Sequence, residues 1–327
     1  MADQILSKRA VLTGSGAYLP AQILTNEDMA KRVDTSDEWI VERTGIRQRH
    51  FAAPHETAAY MGAEAGRQAM EKAGLAPESL GAIIVATSTP DQAFPATAVR
   101  IQALLGATKA FGFDLAAACS GFIYGLSVAD AMLRAGQVKS VLVIGTEVFS
   151  RLLNFEDRTT CVLFGDGAGA VLLEARDVAQ DGPGLLSTHL YADGSLGDIL
   201  YVDCGTEENR KPGHLVMHGR EVFRHAVNLL AGAVNDALAE NNLTAADIDL
   251  LVPHQANKRI IDGVGKKLGL PPERVVVTVH KHANTSAASI PLALADAIQE
   301  GRAAPGRLLL LEALGGGLTW GSALLRL

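Results

Sequence analysis

Apolar and polar positions alternate between two patterns along most of the chain. Continuous apolar runs predict strands buried on both faces at residues 81–88, 140–145 and 307–311. Helical patterns, with apolar residues three and four positions apart, lie between them. They predict helices at residues 57–73, 97–105, 220–241, 257–268 and 285–298. This alternation of strand and helix favours an α/β fold with buried sheets.

Several shorter elements follow from turn and capping residues. Residues 10–12 open a short strand that the following glycines are expected to end, and residues 274–279 are predicted to form a strand. Asn26 is a plausible helix cap. Thr35 or Ser36 can cap the next helix, on which Trp39, Arg43 and Arg47 share a face if the helix extends that far.

Residues 110–125 combine an apolar strand, a turn of small residues and the start of a helix, and Cys119 lies at their junction. A helix N-terminus offers free N–H groups and partial positive charge, which favour a thiolate. The position therefore predicts a nucleophilic cysteine with a lowered pKa. The alternative is that Cys119 is a small buried apolar residue.

The second half of the chain repeats the first. Residues 75–86 match residues 243–254 in spacing, and the segment that starts at Cys119 matches the one that starts at Thr285. We therefore predict a duplicated protein with halves at residues 1–180 and 181–327. The match places His254 at a strand end and Asn284 before the second central helix, so both are expected near Cys119.

Composition excludes several classes of protein. The 327 residues are 48% hydrophobic with a net charge of −7, which argues against disorder and against a nucleic-acid-binding protein. Three cysteines without metal-ligand spacing argue against a disulfide framework or a structural zinc site and favour a cytoplasmic location. No apolar run approaches the roughly 18 residues that span a membrane.

Seven segments together resemble the β-ketoacyl-acyl-carrier-protein (ACP) synthase III family, whose members have the duplicated thiolase-type αβαβα fold. The segments are DTSDEWIVERTGIRQRH, ATSTPDQAFPATA, DLAAACSGF, FGDGAGA, VPHQAN, NTSAAS and GGGLTWGSAL. The resemblance covers essentially the whole chain. It implies an acyltransferase that condenses an acyl-CoA primer, acetyl-CoA by expectation, with malonyl-ACP and initiates fatty-acid synthesis.

The resemblance also implies residue roles. Cys119 matches the acyl-carrying nucleophile, His254 and Asn284 match the decarboxylation pair, and the N–H groups of Cys119 and Gly316 match the oxyanion hole. Further positions match the coenzyme A site (Thr35, Trp39, Arg43 and Arg158), the phosphopantetheine contact (Asn257) and a pocket residue reached across a homodimer interface (Phe94). Acyl-CoA and malonyl-ACP are substrates, and neither a cofactor nor a metal is expected.

Basic residues on the predicted helix at 257–268 suggest an acidic partner, which the resemblance identifies as ACP. They are Lys258, Arg259, Lys266 and Lys267, with Arg224 nearby. A solvated charged face is the alternative. One departure from the family is Ala283, where glycine is usual, and alanine is strained there if the backbone has positive φ.

Three other functions are compatible with parts of the pattern. A related thiolase-fold enzyme for polyketide starter units would share Cys119, His254 and Asn284. A cysteine hydrolase would use only the first two of these residues, and the match to the adenine site argues against it. A non-catalytic binding module does not explain why the complete set of three is present.

Overall fold

The computed structural model describes residues 6–203 and 213–327, so Cys204 lies outside the described residues. The strands are β1 (Ser7–Tyr18), β2 (Gln22–Thr25), β3 (Gln48–Phe51), β4 (Ala82–Ala86), β5 (Phe111–Leu115), β6 (Ser140–Val148), β7 (Asp166–Val178), β8 (Gly184–Ala192), β9 (Leu200–Val202), β10 (Leu215–Met217), β11 (Leu250–Pro253), β12 (Leu308–Gly315) and β13 (Thr319–Arg326). The α-helices are α1 (Asn26–Ala30), α2 (Asp37–Thr44), α3 (Ala58–Ala73), α4 (Thr97–Leu105), α5 (Gly121–Arg134), α6 (Arg158–Cys161), α7 (Gly219–Glu240), α8 (Lys258–Lys267), α9 (Val279–His282) and α10 (Ser289–Gln299).

The first large sheet has the strand order β1-β7-β6-β4-β5. Strand β4 is parallel to β5 and β6, whereas β7 runs antiparallel to β6 and β1. Successive side chains of β6 enter different cores: Val141 and Val143 face one cluster, and Leu142 and Ile144 face another. The continuous apolar run thus corresponds to a strand buried on both faces, as predicted.

The second large sheet has the order β8-β13-β12-β11, with β11 and β12 parallel. The prediction of a strand at residues 274–279 is wrong. Only Val275 pairs in this segment, through an isolated bridge to Leu251. The side chain of Gln255 instead accepts the N–H groups of Thr278 and Val279, at 2.7 and 3.0 Å, and α9 begins at once. The bridge lies beside β11 as β5 lies beside β4, so both sheets share one strand order.

The helices form three layers around the two sheets. Helices α3 and α4 pack on the outer face of the first sheet, and α5 and α10 lie between the sheets. Helices α7 and α8 cover the outer face of the second sheet. The order of layers is therefore αβαβα, which confirms the predicted fold class.

Strand β1 is longer than the sequence suggested, because it continues through Gly14 and Gly16 instead of ending there. A Cβ atom at Gly14 would lie 2.0 Å from the carbonyl oxygen of Ala69, and one at Gly16 would lie 2.0 Å from that of Ala65. The glycines therefore allow α3 to pack directly on the strand backbone, and they do not form a turn.

The first two helices correct further local predictions. Thr25, and not Asn26, caps α1, while the Asn26 side chain donates to the Asp37 carboxylate and the Ile46 carbonyl, each at 2.8 Å. Ser36 caps α2, which ends before Gly45. Arg47 therefore lies outside the helix and does not share a helical face with Trp39.

The two central helices have similar entries but different lengths. One turn of 3-10 helix precedes each, and it begins at a residue with positive φ, Ala118 (45°) or Ser286 (50°). By conformation, Cys119 corresponds to Ala287. The sequence match instead paired Cys119 with Thr285. The match was displaced because α5 has 14 residues and α10 has 11.

Candidate active site

A cavity of about 950 Å³ contains Cys119, His254 and Asn284 in its wall. The structure thus brings together three polar residues that are far apart in sequence. The other predicted site residues in the wall are Trp39, Arg43, Asn257, Arg259 and Gly316. Those outside the wall are Thr35, Phe94, Arg158, Arg224, Lys258, Lys266 and Lys267.

Cys119 lies in the tight turn between β5 and α5 and is 7% exposed. Burial raises the pKa of its thiol to about 12, and the neighbouring Glu147 carboxylate also raises it. The prediction of a lowered pKa was therefore wrong. The thiol is withdrawn from water just before the helix begins, and desolvation of the thiolate is the largest cause of the raised pKa. Cys119 rests as a protonated thiol.

The backbone around Cys119 provides two N–H groups at the end of the second sheet. A Cβ atom at Gly315 would lie 2.7 Å from the Cys119 nitrogen, which shows how closely β12 approaches this turn. Within residues 6–203 and 213–327, the N–H groups of Cys119 and Gly316 donate to no backbone carbonyl outside the regular elements. Both residues line the cavity, so this pair fits an oxyanion hole.

His254 follows the last residue of β11, and its N–H donates to the Glu312 carbonyl at 2.8 Å. Its Nδ1 atom lies 2.6 Å from the Ser289 hydroxyl oxygen of α10. Burial lowers the pKa of His254 to about 3, so the imidazole is neutral near pH 7. Only Nδ1 has a hydrogen-bond partner among the described residues, which leaves Nε2 for a ligand in the cavity.

Asn284 is held by main-chain contacts at the entry to α10. Its Oδ1 atom accepts the N–H of Ser286 at 2.8 Å, and its backbone pairs with Leu163 and Gly165. Because Oδ1 is the acceptor in this contact, the Nδ2 group is the part of the amide left to donate. Asn284 therefore offers a donor to a negative oxygen, and His254 offers a second one when its single proton is on Nε2.

An aromatic and cationic group lies at the mouth of the cavity. The guanidinium carbons of Arg43 and Arg158 lie 4.6 and 5.2 Å from the Trp39 ring centroid. Asn257 caps α8 and donates through Nδ2 to the Arg43 carbonyl at 3.1 Å, which joins α8 to α2. A flat base and phosphates fit such a group. Thr35 lies beside the helix cap, and its hydroxyl has no partner in the described residues.

The basic residues of α8 are exposed but not equivalent. Lys258 pairs with Asp262 at 2.6 Å, which offsets its charge, whereas the Arg259 guanidinium stacks on Phe223 with its carbon 5.4 Å from the ring centroid. Lys267 donates to Asn228 of α7. Of the four basic residues of α8, Arg259 is the one that lines the cavity.

Family models and relatives agree on one assignment. The model described as 3-oxoacyl-[acyl-carrier-protein] synthase III matches residues 113–194, and the model of the C-terminal part matches residues 238–327. The chain is 67% identical, over 98% of its length, to the β-ketoacyl-[acyl-carrier-protein] synthase III of Acidiphilium cryptum, of which it covers 99%. The chain belongs to the β-ketoacyl-ACP synthase III family. The corresponding protein of Granulibacter bethesdensis is 62% identical, over 98% of this chain and all of that one.

Solved structures extend the family assignment to the fold. The 3-oxoacyl-[acyl-carrier-protein] synthase III of Aquifex aeolicus is 47% identical, with a TM-score of 0.92 over 97% of this chain and all of that one. The priming β-ketosynthase of the R1128 polyketide pathway is 36% identical, with the same TM-score over 100% of this chain and 99% of that one.

In the described residues, no helix is long and apolar enough to cross a membrane.

The structure adds buried polar residues to which sequence reasoning gave no role. Glu147, at the end of β6, accepts the Ser88 N–H at 3.0 Å and the Thr89 hydroxyl at 2.7 Å. Burial raises its pKa to about 7. The carboxylate fixes the loop after β4, which lines the cavity. In the sequence, the only sign that Glu147 fixes this loop is its position at the end of an apolar strand.

Proposed function

We propose that this chain joins an acyl-CoA primer, acetyl-CoA by expectation, to malonyl-ACP through an acyl thioester on Cys119. As a member of its family, it is a condensing acyltransferase that initiates fatty-acid synthesis. One observation supports these residue roles above all others: Cys119, His254 and Asn284 line one cavity, with Trp39 and Arg43 at its mouth.

In the first half-reaction, Cys119 Sγ attacks the thioester carbon of acyl-CoA. The new S–C bond replaces the bond to the CoA sulfur, and the proton of the Cys119 thiol ends on that sulfur. The N–H groups of Cys119 and Gly316 stabilise the negative oxygen of the tetrahedral intermediate, and one such donor contributes roughly 3–4 kcal/mol. Because the resting thiol is protonated, loss of its proton is part of this step.

In the second half-reaction, malonyl-ACP loses CO2 by cleavage of its C–C bond. The electron pair moves onto the thioester oxygen as an enolate, to which His254 Nε2 and Asn284 Nδ2 donate hydrogen bonds. The enolate carbon then attacks the acyl group on Cys119. The sulfur leaves as a thiolate and takes a proton from solvent, and the product is β-ketoacyl-ACP.

Binding of the substrates follows from the wall and mouth of the cavity. We assign Trp39, Arg43, Arg158 and Thr35 to coenzyme A and Asn257 to the phosphopantetheine arm. We assign the exposed α8 face, with Arg224, to ACP. The proposed steps use a thiol and hydrogen-bond donors, with both acyl carriers as substrates, and call for no cofactor. The two-half division at residue 180, the homodimer and the cytoplasmic location remain predictions.

Labelling with radioactive acetyl-CoA tests this proposal. We expect the label on Cys119, and we expect Cys119→Ser to abolish it. His254→Ala and Asn284→Ala should still accept the acetyl group but release CO2 from malonyl-ACP roughly 100-fold more slowly, because each lacks one donor. Persistent labelling of Cys119→Ser would refute the nucleophile, and normal CO2 release by both other variants would refute the decarboxylation pair.

A starter-unit condensing enzyme of polyketide synthesis is the second candidate, because the R1128 priming enzyme has the same fold at 36% identity. The synthase III relatives at 67% and 62% identity favour the first candidate. A panel of acyl-CoA primers of increasing length, each assayed with malonyl-ACP, separates the two. A clear preference for acetyl-CoA supports fatty-acid initiation, and a preference for longer primers supports the alternative.

A further inference from the structure

The 3-10 turn before α10 and the first residue of α10 contact the two proposed donors of the decarboxylation pair. Ser289 Oγ lies 2.6 Å from His254 Nδ1, and the Ser286 N–H lies 2.8 Å from Asn284 Oδ1. Ser289 is 1% exposed and is not part of the cavity wall. It therefore acts on the site through His254 and does not touch a ligand in the cavity.

The partners of the Ser289 hydroxyl favour one direction for its bond to His254. The Gln255 N–H donates to Ser289 Oγ at 3.3 Å, so this oxygen already accepts one hydrogen bond. The oxygen has a second lone pair, but if it also accepted from an Nδ1–H group, the hydroxyl proton would have no acceptor among the described residues, which favours its donation to His254 Nδ1. A neutral imidazole carries one proton, so when Nδ1 accepts, Nε2 is protonated.

The position of Gln255 is itself strongly fixed. Its side chain donates to the carbonyls of Pro253 and Val276, at 2.8 and 3.1 Å, and accepts two N–H groups at the start of α9. Its backbone N–H is therefore held toward Ser289 by four side-chain hydrogen bonds. These contacts keep the Gln255 N–H in place as a donor to Ser289 Oγ.

We propose that Ser289 is a positioning residue that holds His254 in the Nε2–H tautomer, so that Nε2 points a proton at the enolate oxygen. The inference rests on the proposed function, because it gives His254 its direction of donation. The opposite tautomer would present a lone pair to the developing negative charge and would lose one of the two donors. Acylation of Cys119 does not need this proton, so Ser289 should affect only the second half-reaction.

The tautomer can be measured on the unmodified protein by 15N NMR with labelled histidine, using His254→Gln to assign the signal. We expect Nε2 to be protonated and Nδ1 to be unprotonated near pH 7. In Ser289→Ala, we expect the Nδ1–H form to become populated. A protonated Nδ1 in the unmodified protein would overturn the proposal, and this result does not depend on whether Ser289→Ala folds.

Kinetics of the separate half-reactions complete the test. We expect Ser289→Ala to slow CO2 release from malonyl-ACP roughly 10- to 100-fold, as loss of a group that orients a histidine does elsewhere. Labelling of Cys119 by acetyl-CoA and the KM for malonyl-ACP should remain unchanged. Ser322→Ala is the matched control, because Ser322 is also buried and donates to a helix carbonyl, Ala233, at 2.8 Å.

The outcomes distinguish this inference from the proposed function. Equal CO2 release by Ser289→Ala and the Ser322→Ala control would overturn the role of Ser289 and leave the reaction assignment intact. Unchanged CO2 release by His254→Ala would instead refute the role of His254 in decarboxylation. Equal loss of both half-reactions in Ser289→Ala would indicate a general structural role and would also overturn the proposal.

Discussion

Among the described residues, three that are not glycine adopt positive φ angles near the cavity that contains Cys119: Ala118 (45°), Ala283 (58°) and Ser286 (50°). Such conformations cost about 1–3 kcal/mol each, and they persist where surrounding contacts fix the backbone. Ala283 also has ψ of −161°, a combination that is almost confined to glycine. The structure thus answers the question raised by this departure from the family, because the backbone does need positive φ.

We predict that Ala283→Gly raises the free energy of unfolding by about 1 kcal/mol, because relief of strain exceeds the extra entropy of glycine in the unfolded chain. Denaturant unfolding with a common slope measures the change. Ala288→Gly is the control: Ala288 has φ of −77° at the same helix entry, and we expect a loss of about 0.5–1 kcal/mol there. Equal losses in both variants would contradict the strain at Ala283.

The raised pKa of Cys119 predicts a distinct pH dependence for its chemistry. The pKa lies well above the ordinary value of 9.0, so the thiolate fraction increases throughout the range from pH 6 to 9. We expect the rate of alkylation of Cys119 by iodoacetamide to rise about tenfold per pH unit, since the thiolate is the nucleophile. A small thiol of ordinary pKa serves as the reference. A plateau for Cys119 below pH 8 would show that the thiolate is stabilised instead.

At the scale of elements, the sequence predicted best where one local pattern decides the structure. Apolar runs located β4, β6 and β12, because strands buried on both faces need apolar residues at every position. The sequence prediction is wrong at β1, where Gly14 and Gly16 predict the end of the strand. Their small size serves contact with α3, and such tertiary contacts cannot be read from local spacing.

The candidate site also contains residues that the local sequence predicts and residues that depend on tertiary contacts. Cys119, His254 and Asn284 lie at the ends of predictable elements, and so the sequence located them. The roles of Gln255, Ser289 and Glu147 depend on which polar atom meets which partner across distant segments. That pairing is set by the packing of α10 against β6 and β11, and a single sequence does not specify it.

The α8 face gives a prediction at the same scale. Replacing Lys258, Lys266 and Lys267 by alanine should raise the KM for malonyl-ACP about fivefold, since the exposed charges of Lys266 and Lys267 contribute roughly 0.5 kcal/mol each and that of Lys258 is offset by Asp262. These three residues lie outside the cavity wall, so the KM for acetyl-CoA should be nearly unchanged. Exposed Lys72 and Lys139, replaced together, provide the control. Equal KM values for malonyl-ACP in the two variants would make α8 an ordinary solvated face.

At the scale of the whole molecule, apolar side chains are exposed along one edge of the first sheet. Phe94 is 85% exposed, and Val99, Leu104 and Phe111 are 44–50% exposed. They lie before α4, on α4 and on β5, the outermost strand of that sheet. Continuous apolar patches beside an unpaired strand are typical of protein interfaces. We propose that this surface forms the interface of the predicted homodimer.

We predict that Phe111→Asp shifts the mass in light scattering from about twice 34.3 kDa to 34.3 kDa, because a charge replaces an apolar contact at the edge strand. Ile23→Asp is the control, since Ile23 is 48% exposed but lies on β2, in a separate small sheet.

The same variant connects assembly to specificity. Phe94 does not line the cavity of its own chain, so a role in limiting the acyl pocket requires that it enter the cavity of a partner copy. We therefore expect the Phe111→Asp monomer to lose discrimination among acyl-CoA primers of different length, whereas Ile23→Asp keeps it. A monomeric mass for the unmodified chain would contradict this prediction, and so would a monomeric variant with unchanged primer preference. Either result would show that Phe94 does not limit the acyl pocket and that this apolar surface does not have the proposed role.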